Sequence, residues 1–239
     1  NMYLQPGHYV GPNNAALNSS SVVVSIVGVE KSGSTILDGE GSHSGFYSAG
    51  NITLNGLVIQ NYINSALAWG PESSYSLLEV SNCTFVGNQG EKGGALSLQP
   101  TASTVTAAVN ASFIGNVANG HGGAIYALAS VADSTLTLMI GDNAQFVHNT
   151  ADSGGGGAIY TRADGYASTL NLTIGDNAQF VNNTADSGGG GAIYTRAQGE
   201  SSTISLPIGD NVQFVENTAV SGGAIYTRAQ GESSTISLP

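Results

Sequence analysis

The stretch AQFVHNTADSGGGGAIYTRA at residues 144–163 returns at 178–197 with one change, His148 against Asn182. Two tetrapeptides inside it recur more widely. Phe-x-x-Asn stands at Phe85/Asn88, Phe113/Asn116, Phe146/Asn149, Phe180/Asn183 and Phe214/Asn217, at spacings of 28, 33, 34 and 34 residues. Gly-Gly-Ala-Ile follows each time, at 93–96 (with Leu96 in the last place), 122–125, 156–159, 190–193 and 222–225. Paired motifs at this period mark one supersecondary unit, repeated and stacked.

Between successive motif pairs lies an alternating segment such as Ser134-Thr135-Leu136-Thr137-Leu138-Met139-Ile140, then a Gly-Asp-Asn turn. Alternation places Leu136, Leu138 and Ile140 on one face and the threonines on the other, as in a half-buried strand. Each unit then carries three short strands: the Thr-rich strand, the Phe strand and the Gly-Gly-Ala-Ile-Tyr strand. No segment shows a convincing helical period. The expected fold is all-β, a right-handed parallel β-helix solenoid with three short strands per coil and roughly 7–8 coils. Residues 1–80 read as irregular N-terminal coils and 81–239 as repeat coils of the same solenoid. Ser205-Leu206-Pro207 runs on into Ile208-Gly209-Asp210, so the final Ser237-Leu238-Pro239 predicts further coils beyond 239.

Stacking explains why one residue type keeps returning to one place. Coils about 4.8 Å apart pile the five phenylalanines into an inner column. The asparagines form a second column, each amide bonding to its equivalent one coil on. Glycine pairs allow a corner where side chains would clash. Asn61, with Val58 three residues before it, is expected to extend both columns by one coil. These residues are scaffold, because every coil has them and a catalytic group is needed once.

Composition limits the function classes. The chain holds 34 glycines, is 41% hydrophobic and only 9% charged, with 16 acidic against 5 basic residues and a net charge of −11. That charge repels a phosphate backbone, which excludes nucleic acid as a partner. No apolar run reaches membrane-spanning length. The single cysteine, Cys83, cannot form an intrachain disulfide and reads as a core thiol.

The two tetrapeptides together resemble those of the chlamydial polymorphic outer membrane proteins, whose passenger regions are defined by repeated GGAI and FxxN. Residues 1–80 resemble the first coils of the pectin-lyase-like superfamily: Leu4-Gln5-Pro6-Gly7-His8-Tyr9 as the opening turn, then 22–28, 34–39 and 51–61 as strands. The resemblance implies a secreted or surface-displayed passenger, commonly an adhesin, and leaves its ligand undefined.

Two functions from different classes follow. The first is an extracellular structural or adhesive β-helix, a surface passenger or filament subunit that acts through repeated exterior faces. Its partners would be other copies of itself, assembled head to tail or laterally, or host and cell-surface glycans. Alternation puts Tyr126, Tyr160, Tyr194 and Tyr226 on an exterior stripe, with Arg162, Arg196 and Arg228 beside the last three. Neighbouring carboxylates such as Asp164 are expected to screen the arginines. The second function is a carbohydrate-active lyase or hydrolase on the same fold. Its candidate groups are the cluster Lys31, Asp38, Glu40 and His43, and His121, which reads as an exposed corner residue within Gly120-His121-Gly122. The stacked Asp142, Asp176 and Asp210 offer carboxylates to Ca2+, although in identical turns each side chain most simply caps its own backbone. No cofactor is required. Repeat identity argues against catalysis, because an active site gathers different groups at one point. Sequons stand at Asn18, Asn51, Asn82, Asn110, Asn171 and Asn182, with Asn182 expected to face solvent and Asn82 less open beside Cys83.

Overall fold

A computed structural model describes residues 1–11, 18–19, 23–29 and 34–239. The side chain of Asn18 and the whole of Lys31 lie outside the described residues. Among them there is no helix, and short strands wind into a parallel β-solenoid of about seven turns with three sheets. No helix is therefore long and apolar enough to cross a membrane.

The alternating Thr-rich segments line up in register, with Val105, Leu136, Leu170 and Ile204 inward and Thr104, Thr135, Thr169 and Thr203 outward. Successive residues of a strand face opposite sides, so one row fills the interior and the other meets water. The Phe strands belong to the same 15-stranded sheet. In Ser76–Val86 and Thr104–Ile114 the two segments are one bent strand, whereas later coils insert Gly-Asp-Asn and split it. The third sheet is a short ladder just after the asparagines, Gln89–Lys92, Val117–His121, Thr150–Ala151, Thr184–Gly189 and Thr218–Ser221. The Gly-Gly-Ala-Ile-Tyr strands form the remaining sheet, called here the tyrosine sheet, from Asn18–Ser19 to Ile225–Ala229. The coil thus has three sheets, but they divide the sequence differently from three separate strands per repeat.

Phe85, Phe113, Phe146, Phe180 and Phe214 stack face to face with centroids 4.8–5.1 Å apart. Each such pair is worth about 0.5–1.5 kcal/mol beyond the area it buries. Asn88, Asn116, Asn149 and Asn183 are fully buried. Each Nδ2 donates to the Oδ1 of the next Asn and to a backbone carbonyl of the coil behind it, and from Asn116 on each Oδ1 also accepts the preceding Asn backbone N–H, as at Asn149. Every polar atom of the amide is then satisfied in a dry interior.

The columns do not continue through Val58 and Asn61. Ile59 pairs with Phe85, and the Tyr62 backbone N–H donates to Asn88 Oδ1, one residue later than expected. Asn61 instead takes the left-handed position that precedes each ladder residue, with φ +55°, where later coils place Gly87, Gly115, His148, Asn182 and Glu216. A left-handed turn favours Gly or Asn, so the asparagine was legible but its place was misassigned.

At the Gly-Gly corner the two glycines have separate reasons. Gly93, Gly122, Gly156, Gly190 and Gly222 have φ between +57° and +69°. A Cβ on Gly94, Gly123, Gly157 or Gly191 would strike the carbonyl of the equivalent glycine one coil on. Cys83 is buried, and its thiol is pushed up to about 11 chiefly by that burial.

Candidate functional site

The tyrosine sheet was expected to carry an exterior aromatic stripe, and the structure corrects this. Tyr126, Tyr160 and Tyr194 do point away from the solenoid interior, but they are 2%, 0% and 7% exposed and form a small core of their own with Leu128 and Tyr226. The residue just before each Gly-Gly corner covers the ring of the following coil. Lys92 Nζ lies 5.4 Å from the centre of Tyr126, and His121 stacks on Tyr160 at 4.3 Å. Gly155 and Gly189 press on Tyr194 and Tyr226, with no room for a Cβ. Alternation reports which side of the sheet a residue faces, not whether another segment lies over that side. Burial raises the Tyr126 hydroxyl to about 12 and also raises Tyr160.

His121 is accordingly not an exposed corner residue. It is half-buried, its Nδ1 accepts the Gly155 N–H at 3.1 Å, and burial, with Lys92, Arg162 and Arg196 nearby, lowers its pKa. Of the arginines, Arg162 makes a 2.8 Å ion pair with Asp164, Arg196 donates to Gln230 Oε1, and Arg228 is exposed. They are the accessible part of the predicted stripe.

Asp142, Asp176 and Asp210 are exposed, but their carboxylates do not cap their own turns. Asp142 Oδ1 accepts the Asp176 N–H at 2.9 Å and Asp176 Oδ1 accepts the Asp210 N–H at 2.8 Å, so the acids tie each coil to the next. No group of three or more His, Cys, Asp or Glu side chains is placed to hold a metal ion among the described residues. The sequons also reorder: Asn82 and Asn110 are exposed, whereas Asn51, Asn171 and Asn182 are half-buried. Asn82 is open because it sits in a left-handed turn, φ +52°, that aims it away from the buried Cys83.

The acidic cluster of the first coils is built around Asp38, which is 7% exposed. It accepts from Gln60 Nε2 at 2.7 Å, the Glu40 N–H at 2.8 Å, Asn61 Nδ2 at 3.1 Å and, at 2.9 Å, His8 Nε2. Burial alone would raise its pKa, but the four hydrogen bonds outweigh that and hold it at about 2. A carboxylate so saturated is a structural anchor. Glu40 meets the Gly11 N–H, and His43 bonds its own turn at the Gly39 carbonyl. Asp38 and Glu40 line one depression of about 380 Å3 with Asn61 and Tyr62, and His43 lies 3.9 Å from Glu40 at its side.

Residues absent from the sequence expectations line a second depression. Along the outward row of the tyrosine sheet the order is Tyr47, Ala68, Ser97, Tyr126, Tyr160. Two small residues therefore interrupt the aromatic column. Over that gap opens a depression of about 360 Å3 lined by Asn64, Ser65, Glu91, Lys92 and Gln99 besides Ala68 and Ser97. Asn64-Ser65-Ala66-Leu67 occupies the corner that Gly93-Gly94-Ala95-Leu96 occupies one coil on. Both Asn64 and Ser65 are left-handed, at φ +59° and +71°. The signal was present in the sequence as GGALS at 93–97 set against GGAIY at 122–126.

A family model for the Chlamydia polymorphic membrane protein repeat matches residues 110–128, 143–162, 177–196 and 211–228. Each match spans from the Phe strand, or the turn before it, through the glycine corner into the tyrosine strand. No curated protein and no solved structure matches the chain. From residue 110 on, the stacked columns and the four repeat matches coincide: residues 110–228 carry Chlamydia polymorphic membrane protein repeats within a three-sheet parallel β-solenoid.

Proposed function

We propose that the protein is a surface-displayed, non-enzymatic β-solenoid of the passenger type that acts by adhesion or by assembly through its exterior. The observation that carries this reading is the set of repeat matches, which belong to a family of outer-membrane and surface proteins. The chemistry of the chain supports it. The repeated residues are consumed in columns and corners, the Asp38 carboxylate is saturated, and Arg228 and the sequon residues Asn82 and Asn110 are exposed on the outside of the wall. Host or cell-surface glycans and further copies of the chain are the partners this reading favours. Ca2+ is at most an accessory at the Asp142, Asp176 and Asp210 row.

The test is adhesion. Beads coated with the purified chain should bind cultured epithelial cells, and the soluble chain should compete that binding away. Failure to bind cells or to self-associate would remove the reading. New reducing or unsaturated ends from polygalacturonate or alginate, with or without Ca2+, would replace it with the enzyme.

A further inference from the structure

We infer that the gap in the aromatic column of the tyrosine sheet is a binding site for a single pyranose ring of a glycan. The inference deepens the adhesive reading and rests on it, and it assigns that activity to the irregular coils rather than to the repeats.

Four observations carry it. The column keeps Tyr at 126, 160, 194 and 226 but has Ala68 and Ser97 where two further rings would stand, which opens the floor. Its volume of about 360 Å3 falls in the lower part of the roughly 300–1,000 Å3 range of small-ligand sites. The glycine corner, bare in the repeats, here carries Asn64 and Ser65 in left-handed backbone, and such outliers gather at functional sites. This is also where the repeat's symmetry breaks, as a specific site requires.

The chemistry fits a sugar. Asn64 and Gln99 are exposed amides, and Gln99 Nε2 is held by Ser97 Oγ at 2.9 Å while its carbonyl oxygen stays available to accept. Lys92 and Glu91 both line the depression, so the site offers one cation and one anion with no net charge. Alternating donors and acceptors suit a ring of hydroxyls. Tyr47, 41% exposed and paired with Ala68, is the most exposed ring of the column among the described residues, and it offers a face for the C–H side of a pyranose.

The experiment uses the full chain and methyl pyranosides of glucose, galactose, mannose, N-acetylglucosamine, glucuronate and N-acetylneuraminate. Titration followed by NMR should move the Asn64 and Gln99 side-chain amides and the Ala68 and Ser97 backbone amides, with at least one sugar binding at millimolar concentration. Ser97→Tyr, which restores the residue that the repeats carry, and Lys92→Ala should each weaken that binding at least tenfold. Arg228→Ala should leave it unchanged. Absence of binding by every sugar, or shifts confined to other coils, overturns the site without any variant having to fold. If bead adhesion persists in a folded Ser97→Tyr chain, the site is wrong while the adhesive reading stands.

Discussion

At the scale of single residues, buried polar groups decide whether a coil holds. Asn149 is fully buried; its Oδ1 takes two bonds from Asn116 and its Nδ2 gives one to the Phe113 carbonyl. Asn149→Ala strands those groups in a dry interior and should cost roughly 2–4 kcal/mol in urea unfolding. Glu216 holds φ +52°, a conformation that costs a non-glycine residue about 1–2 kcal/mol. Glu216→Gly should therefore stabilise the terminal coils by about 1 kcal/mol, read as slower amide exchange at Asn217 and Thr218. Acid should act in two windows. The folded His121 resists protonation, so the unfolded chain gains protons first as pH falls below 6.5, and stability declines there. The folded Asp38 stays ionised to about 2 against 3.8 in the free state, a contribution of roughly 2 kcal/mol that is whole above 3.8 and lost as pH falls through 2. Asp38→Asn should flatten the second window in a pH series of melts and leave the first.

At the scale of the element, what was legible follows from what stacking demands. Phe146 and Asn149 had to be inward because identical neighbours above and below satisfy them, and repetition in the sequence displays that directly. The buried tyrosines were not legible, since their cover comes from Lys92, His121, Gly155 and Gly189, three different residue types at one place in the coil. The corner at Asn64 and Ser65 was hidden because it lacks the glycines that announce the others. Asp176 was read as a local turn cap because a sequence does not show that the coil above offers its N–H. One element keeps an unspent gain. Thr161 and Thr195 are inward and fully buried, with Oγ1 unpaired, where the earlier coil has Ala127. Thr161→Val and Thr195→Val keep the shape and remove a lone buried hydroxyl, so each should raise stability by about 1 kcal/mol in thermal unfolding.

At the scale of the whole molecule, two of the three sheets run from the irregular first coils through the repeats, from Met2–Leu4 to Thr235–Ser237 along the longest, and the third joins them at Gln89–Lys92. Stability is then a sum over neighbouring coils, and function falls to the outside of the wall and to the coils that break the pattern. All of this depends on the coil register. Gln145, Gln179 and Gln213 are exposed and successive in that register. Neighbouring coils place such residues about 4.8 Å apart, within disulfide reach, and alternate coils about 9.6 Å apart, beyond it. Cys83, buried with its thiol held at about 11, stays out of the reaction. The decisive measurement is therefore oxidation of two double-cysteine chains followed by peptide mapping. Gln145→Cys with Gln179→Cys should close almost completely and Gln145→Cys with Gln213→Cys should not; equal closure of both pairs, or closure of the second alone, would contradict the stacked solenoid.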